Sequence, residues 1–263
     1  MKNQPVVADV TQNFYDSLAS QYDKFYRDWR ETTRAEAVFL DGIFREYGFD
    51  RTARLLDCAC GIGTQAIGLA ALGYAVTASD ISAGELAEAQ KRAAESQVTL
   101  TLKQADFRAL AEVFPEPFDL VIAMDNALPH MLSHASLEEA VNSIVNQLRG
   151  GGLFVASIRD YDKALEEKPA FSAPYVHKTE RGQRILFQTW DWFGDNYQFT
   201  QYIIEDEGTP EISKFCCEYR ATRRDELTGL LLAAGCTAVH WKMPKETGFY
   251  QPVVVAVKGR GEE

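Results

Sequence analysis

The sequence contains no long apolar run and has fewer basic than acidic side chains. No stretch of about 18 apolar residues occurs, so no membrane-spanning helix is expected. Residues 1–5 lack the apolar core of a signal peptide, so a cytoplasmic location is expected. The 27 Lys and Arg face 38 Asp and Glu, which gives a net charge of −11. Because phosphate binding needs a basic surface, this charge argues against nucleic acid and leaves small molecules as partners.

Cysteine and histidine are also scarce, and neither is spaced as a metal ligand. The five cysteines are odd in number and form no Cys-x-x-Cys pair, so neither a zinc site nor a disulfide framework is expected. His130 and His134 are four residues apart, but no carboxylate or third-ligand pattern accompanies them. No bound metal is therefore expected, and the cysteines are interpreted as small apolar packing residues.

Residues 54–80 carry the most informative pattern in this chain of 263 residues. They predict a buried strand, a tight turn containing Gly61 and Gly63, a helix, and a second strand that ends at Asp80. Glycine lets the backbone turn sharply and leaves no side chain between the backbone and a ligand. The helix N-terminus offers unpaired N–H groups, and an acid at the tip of the second strand typically binds ribose hydroxyls. The stretch therefore predicts a site for a ribose-containing ligand.

Asp57 indicates which ligand of this kind the turn favours. Gly61, Gly63 and Ala66 alone also satisfy the loose dinucleotide fingerprint, so an NAD-dependent oxidoreductase is a rival interpretation. A pyrophosphate fits poorly beside the carboxylate of Asp57, whereas a cationic ligand is attracted to it. Together with Asp80 and the absence of Lys and Arg from the turn, this predicts an adenosine with a cationic amino-acid end. That cofactor is S-adenosylmethionine, and its product is S-adenosylhomocysteine.

Residues 57–63, Asp57-x-Ala59-Cys60-Gly61-x-Gly63, and residues 76–80 resemble the corresponding motifs of class I S-adenosylmethionine-dependent methyltransferases. The similarity is greatest to the glycine N-methyltransferase branch, which includes the bacterial glycine/sarcosine enzymes. The matching residues are Asp57-x-Ala59-Cys60-Gly61-x-Gly63 and, further on, Val76-Thr77-Ala78-Ser79-Asp80. The resemblance implies an α/β, Rossmann-like fold with a mostly parallel seven-stranded sheet and an antiparallel last strand.

The chain is predicted to divide into three parts. An aromatic-rich N-terminal segment, residues 1–50, is expected to form a helical lid, and residues 51–168 and 220–263 the cofactor-binding core. Between the two core segments, residues 169–219 carry β-branched and aromatic runs separated by Gly-Asp-Asn, which predicts an antiparallel hairpin. This insertion is expected to form a cap that determines substrate specificity.

The resemblance also implies how the cofactor is held. Asp57 and the glycine turn would hold the methionine end, and Asp80 the ribose. Asp106 and Phe107 would contact the adenine, and Arg34 would reach the methionine carboxylate. The residues predicted to bind the cofactor are Tyr22, Arg34, Asp57, Ala59, Cys60, Gly61, Gly63, Asp80, Ile81, Asp106, Phe107, Met124 and Asp125.

The acceptor is expected at the loop that follows the strand ending near Met124. Ligands of open α/β sheets bind outside the carboxyl ends of the strands. The related enzymes carry Gly-Asn-Ser and a following His here, and this sequence matches with Asn126 and His130. Asp125 replaces the glycine, which favours a more cationic acceptor. The residues predicted to position the acceptor are Asn126, Arg159, Tyr22 and His130.

Arg159 matches the family's arginine that binds the substrate carboxylate, since a guanidinium pairs with a carboxylate through two hydrogen bonds. The alternative is a structural ion pair between Arg159 and either Asp160 or Asp162.

The expected reaction is N-methylation of a small amine or amino acid, similar to glycine or sarcosine. In-line methyl transfer needs positioning more than acid–base groups, which agrees with the lack of a recognisable triad. The alternatives are a methyltransferase for an oxygen, carbon or metalloid acceptor, the NAD-dependent oxidoreductase, and a binding protein without activity. The acceptor, the number of methyl groups transferred and the choice between monomer and homo-oligomer stay open.

Overall fold

The computed structural model describes residues 7–261. The first six residues of the predicted lid, and with them the segment inspected for a signal peptide, lie outside the described residues. Eight helices occur in the described part: α1 (Val7–Leu18), α2 (Trp29–Glu46), α3 (Thr64–Ala71), α4 (Ala83–Glu95), α5 (His134–Asn146), α6 (Tyr161–Glu167), α7 (Arg224–Ala233) and α8 (Pro244–Thr247). A 3₁₀ helix, Ala19–Phe25, follows α1 directly.

The strands of the same part form two sheets. The first contains β1 (Arg54–Asp57), β2 (Ala75–Asp80), β3 (Thr101–Gln104), β4 (Phe118–Ala123), β5 (Leu148–Ser157), β10 (Cys236–Lys242) and β11 (Val253–Lys258). The second, called the insertion sheet below, contains β6 (Tyr175–Lys178), β7 (Gln183–Phe193), β8 (Asn196–Asp206) and β9 (Pro210–Arg220).

The first sheet has the strand order β10-β11-β5-β4-β1-β2-β3. Strands β3, β2, β1, β4 and β5 run parallel, whereas β11 is antiparallel to both of its neighbours. This confirms the predicted mostly parallel sheet with its antiparallel last strand. Parallel sheets are covered on both faces, and so is this one. Along β4, Leu120 and Ile122 pack into one apolar layer, while Val121 and Ala123 pack into the other.

The insertion sheet is antiparallel throughout, in the order β6-β7-β8-β9. Its central hairpin turns at Gly194, which has a φ of +67°. The predicted hairpin corresponds to β7 and β8, whereas the short strand β6 was not predicted, since Tyr175–Lys178 shows no clear alternation. Helix α1 packs against β9 and α4, and thereby joins the N-terminal segment to both sheets.

Local capping decides where two of the helices begin. Helix α2 begins at Trp29, where the Asp28 side chain accepts a hydrogen bond from Glu31 N at 2.9 Å. Helix α4 begins after Ser82, whose side chain accepts a hydrogen bond from Glu85 N. Among the residues that the structure describes, none of the helices combines the length and apolar character needed to cross a bilayer.

Candidate active site

The turn between β1 and α3 has a backbone that depends on its glycines. Gly61 and Gly63 have φ values of +50° and +88°, in the left-handed region that other residues rarely adopt. At Gly63, a Cβ atom would also lie 2.9 Å from Ile67 Cδ1. At Gly61 it would come no closer than 3.6 Å to another atom, so the requirement there is conformational. The turn thus presents bare backbone at the ends of the strands.

Asp80, at the end of β2, holds this turn in place. One carboxylate oxygen, Oδ2, accepts a hydrogen bond from Gly61 N, and the other accepts one from Ser82 N, both at 2.9 Å. Burial raises the pKa of Asp80, and the hydrogen bonds to the ionised form oppose that shift. The same carboxylate therefore orders the glycine turn and the start of α4.

Two more buried carboxylates lie near the turn with oxygens that have no hydrogen-bond partner in the described part of the chain. Asp57 is 1% exposed and leaves Oδ2 unpaired, while Glu85 is fully buried and leaves both of its oxygens unpaired. Burial raises the pKa of Asp57 to about 8, and it also raises that of Glu85, with Asp80 contributing to both shifts. In the free protein, Asp57 therefore attracts a cation less strongly than its sequence position suggests.

A cleft runs along the turn at the carboxyl ends of β1, β2 and β4. Most of the residues predicted to bind the cofactor line this cleft: Tyr22, Ala59, Cys60, Gly61, Asp80, Ile81, Asp106, Phe107, Met124 and Asp125. At the predicted adenine end, Asp106 Oδ2 accepts hydrogen bonds from Arg108 Nη2 at 2.5 Å and Nε at 2.9 Å. That carboxylate is thus already paired within the protein.

A second and larger cavity, called the acceptor cavity below, adjoins the cleft. Its volume is about 840 Å³, and it shares Tyr15, Tyr22 and Asp125 with the cleft. Its walls come from the N-terminal segment, the loops after β4 and β5, and the insertion sheet. Asn126 and Arg159 both line it.

Arg159 lies in this cavity without an acidic partner among residues 7–261. Its Nη1 donates to Tyr197 Oη at 2.9 Å and its Nη2 to Gln188 Oε1 at 3.3 Å. The guanidinium carbon also lies 4.9–5.4 Å from the centroids of three aromatic rings, Trp190, Phe199 and Tyr219. These neutral neighbours hold the guanidinium in place without cancelling its charge.

The structural ion pair considered for Arg159 forms with another arginine instead. Arg224, at the start of α7, contacts Asp160 at 2.5 Å and Asp162 at 3.1 Å. Because Arg224 forms ion pairs with both Asp160 and Asp162, the charge of Arg159 stays available to a ligand.

The loop after β4 is held in an unusual conformation. Asp125 and Asn126 have φ values of +55° and +71°, which costs free energy for residues other than glycine. Asn126 N and Asp125 N both donate to Ser157, and Asn126 Oδ1 accepts from Arg159 N at 3.0 Å. The Asn126 Nδ2 group is buried and has no partner among the described residues. The strained loop thus holds a buried donor that is unsatisfied within the described part of the chain.

His130 lines the cleft beside helix α1. Its Nε2 lies 2.8 Å from Tyr15 Oη, and its ring centroid lies 4.3 Å from that of Tyr219. Burial, together with the nearby charge of Arg159, lowers the pKa of His130 to about 3, so the imidazole is neutral near pH 7.

Comparison with known proteins finds a matching domain and several similar enzymes. A family model described as a methyltransferase domain matches residues 55–152, which span the turn, the cleft acids and β4. A glycine/sarcosine N-methyltransferase from Parasynechococcus marenigrum (strain WH8102) is 28% identical over 155 residues, or 59% of this chain and 54% of the relative. The glycine N-methyltransferase of Homo sapiens is 29% identical over 246 residues, 86% of this chain and 82% of the relative.

A methyltransferase domain and similarity to glycine N-methyltransferases over most of the chain support its assignment to the class I S-adenosylmethionine-dependent methyltransferases. Its fold agrees with that of a solved amino pentose methyltransferase from Micromonospora echinaspora, whose structure contains bound S-adenosylmethionine. The TM-score is 0.72 at 20% identity, over 90% of this chain and 96% of that one. The family and the cofactor predicted from the sequence are thus confirmed. The chain spans a little over half the length of the first relative named above.

The residues of this methyltransferase fit the cofactor at the turn. Side-chain-free backbone at Gly61 borders the cleft, and unpaired carboxylate oxygens of Asp57 and Glu85 lie beside it. An adenosyl group with a positively charged amino-acid end is matched by these acceptors and by Asp80.

Three predicted cofactor residues do not line the cleft. Gly63 shapes the turn from behind, and Asp57 lies beneath it, where Oδ1 accepts from Ala59 N at 3.3 Å. The prediction for Arg34 is corrected, because its side chain is exposed and lines neither the cleft nor the acceptor cavity. The face of α2 that turns inward carries Thr33 and Glu36 instead.

Sequence reasoning missed four residues that the structure places at or beside the site: Glu36, Gln65, Glu85 and Tyr250. Glu85 stands three residues after Ser82, where it could complete a capping box, but Asp80 Oδ1 accepts the hydrogen bond from Ser82 N instead. A carboxyl group on the buried stripe of an amphipathic helix was the available signal for Glu36 and Glu85, because such groups rarely lie there without a role.

Proposed function

We propose that this chain transfers a methyl group from S-adenosylmethionine to the nitrogen of a small amine or amino acid. The observation that carries the proposal is Arg159, a guanidinium without an acidic partner among the described residues, in a cavity that adjoins the cofactor cleft. Relatives whose names specify glycine and sarcosine as substrates support an amino acid as acceptor. We also propose that residues 1–50 and 169–219 act as lid and cap over this cavity.

The cofactor supplies an electrophilic methyl group on a sulfonium, and its thioether product is a neutral leaving group. In the overall reaction the nitrogen lone pair forms the N–C bond as the S–C bond breaks, the bonding pair stays on sulfur, and the nitrogen later loses a proton to water. The protein must therefore bind a neutral amine, align it and exclude competing water.

In this proposal the residues around the cavity have separate tasks. Arg159 binds the acceptor carboxylate through two parallel hydrogen bonds. The free Nδ2 of Asn126 donates to the same carboxylate or to a neighbouring polar group. The tyrosines shared by cleft and cavity, Tyr15 and Tyr22, surround the point where the two ligands meet.

The properties of His130 favour an amine over an alcohol or phenol. A hydroxyl acceptor must lose its proton as it reacts, and a general base works best with a pKa near the operating pH. Since the pKa of His130 is lowered to about 3, this imidazole is a weak base. A neutral amine already carries its lone pair and needs no such group.

A screen of small amines, with glycine, sarcosine and dimethylglycine first, tests the proposal by donor-dependent mass gain. In the variant R159M, KM for the acceptor should rise by about 30-fold or more, since losing one partner of a buried charge pair costs roughly 2–5 kcal/mol. R159K, which keeps the charge but loses the planar fork, should fall between R159M and the wild type. Affinity for S-adenosylhomocysteine should not change in either variant. Equal acceptor KM values in R159M and the wild type would remove Arg159 from the site.

A further inference from the structure

Two carboxylates from distant parts of the chain meet at the wall of the acceptor cavity. Gln65 Nε2 donates to Glu36 Oε2 at 2.6 Å and to Asp125 Oδ2 at 2.7 Å, so one amide joins both acids. Glu36 is 6% exposed, and both acids line the cavity. Within residues 7–261, neither acid forms an ion pair with Lys, Arg or His. Two buried carboxylates this close are unfavourable unless a proton or a cation lies nearby.

Three tyrosines surround this pair. Tyr250 Oη donates to Asp125 Oδ1 at 2.7 Å. Tyr22 and Tyr26 line the same cavity, and their ring centroids are 6.2 Å apart. Carboxylates combined with aromatic faces are a typical environment for organic cations, which gain from both charge and ring contacts. We call Glu36, Asp125, Tyr22, Tyr26 and Tyr250 the acidic pocket.

The rest of the cavity supplies independent signs of a ligand. Asn126, which adjoins the acidic pocket in sequence, is 3% exposed and has an unpaired Nδ2 group in the described structure. Arg159 lines the same cavity without an acidic partner among those residues. The volume of about 840 Å³ lies in the range of roughly 300–1,000 Å³ seen for pockets that enclose drug-sized ligands. A molecule as small as glycine would leave most of it empty.

We propose that Glu36 and Asp125 bind a second, non-reacting ammonium group of the acceptor, which makes the preferred acceptor a diamino acid or a similar dibasic amine with a carboxylate. This inference rests on the proposed N-methylation and specifies its substrate class. Arg159 binds the carboxylate of the acceptor, and the acidic pocket binds its distal ammonium. The nitrogen to be methylated then lies where the acceptor cavity meets the cofactor cleft.

The acidic pocket does not suit the nitrogen that reacts. Two carboxylates stabilise the protonated amine, which has no lone pair to attack the methyl group. The pKa of Glu36 is raised to about 9 by burial and by Asp125, so the free pocket holds a proton that a bound ammonium can replace. The cofactor's own ammonium is the other source of the same chemistry, since Asp125 and Tyr22 also line the cofactor cleft, whereas Glu36 lines the acceptor cavity alone.

Calorimetry on the full chain saturated with S-adenosylhomocysteine tests this inference. The probes are three matched pairs: 2,4-diaminobutyrate with 2-aminobutyrate, ornithine with norvaline, and lysine with norleucine. At least one diamino acid should bind 10-fold or more tightly than its monoamino partner. In E36Q and D125N this preference should fall below about twofold. Asn is well tolerated at positive φ, so D125N keeps the strained loop. E31Q removes one charge from an exposed position on the same helix and should leave the preference intact.

A preference for diamino acids that persists in E36Q and D125N would overturn the inference, and so would either of two further binding results. One is the absence of any preference for diamino acids in the wild type. The other is a loss of S-adenosylhomocysteine affinity in E36Q as large as the loss for the diamino acid, which would assign the pocket to the cofactor. Failure of the proposed function looks different, because binding would stay selective while no amine gained mass. Conversely, equal methylation of mono- and diamino acids would support N-methylation and contradict the acidic pocket.

Discussion

Gly68 and Gly42 both lie inside helices, yet alanine should have opposite effects at the two positions. Gly42 is exposed on α2, and a Cβ atom there would meet nothing within 4 Å. Replacing it with Ala should stabilise the protein by about 0.4–1 kcal/mol, because the unfolded chain loses conformational freedom. At Gly68, on α3, a Cβ atom would lie 2.3 Å from the backbone oxygen of Thr33 and 2.8 Å from Ala37 Cβ.

Since the atom nearest to that Cβ is backbone, no side-chain rotation relieves the contact at Gly68. Helices α2 and α3 must move apart, and overpacking of this kind costs about 1–3 kcal/mol or more. Subtracting the helix-propensity gain of about 1 kcal/mol still leaves G68A up to roughly 2 kcal/mol less stable than the wild type. Because α2 carries Glu36 and α3 carries Gln65, the shift should also weaken ligand binding in the acceptor cavity.

Chemical and thermal denaturation followed by circular dichroism measure this difference. For a chain of this size, 1 kcal/mol corresponds to about 2–4 °C in Tm. G42A should therefore raise Tm by about 1–4 °C, and G68A should lower it by up to about 8 °C. If G68A proves as stable as G42A, the close packing of α2 on α3 is wrong, and with it the position of Glu36.

Two further predictions concern the cleft. D80A should weaken S-adenosylhomocysteine binding by roughly 1–3 kcal/mol. It should also lower Tm, because Gly61 N and Ser82 N both lose their hydrogen-bond acceptor. An unchanged affinity in calorimetry would contradict a role of Asp80 in the site. The lowered pKa of His130 should make stability depend on pH, since this histidine binds a proton near pH 6.5 in the unfolded chain but stays neutral at that pH in the native state. The free energy of unfolding therefore decreases as the pH falls. Urea denaturation should show that the wild type loses about 2 kcal/mol more of it than H130Q does between pH 7 and 5. Equal losses would mean that His130 is not buried in its neutral form.

The sequence by itself determined the strand–turn–helix unit around Gly61 and the acid at the end of β2. Both are local patterns, because the period of apolar residues and the positions of glycine decide secondary structure over short windows. That unit was enough for the cofactor and for the resemblance that implied a mostly parallel sheet. The aromatic runs on either side of Gly194 likewise predicted the insertion hairpin without any long-range information.

Only the tertiary structure decided which charges meet. Asp160 and Asp162 are the sequence neighbours of Arg159, yet they pair with Arg224, which lies more than 60 residues away. Arg34 is exposed since it lies off the buried stripe of α2, a matter of helix rotation that a motif does not define.

The acidic pocket is the plainest case of this limit. Glu36 and Asp125 are far apart in the chain and lie on different elements. The packing of α2 against α3 brings Glu36 to the Gln65 amide, and the loop after β4 brings Asp125 to the same amide. Backbone patterns are encoded by near neighbours, whereas the partner of a charged side chain depends on how the elements pack. For that reason the cofactor could be inferred from the sequence, while the residues proposed to select the acceptor emerged from the fold.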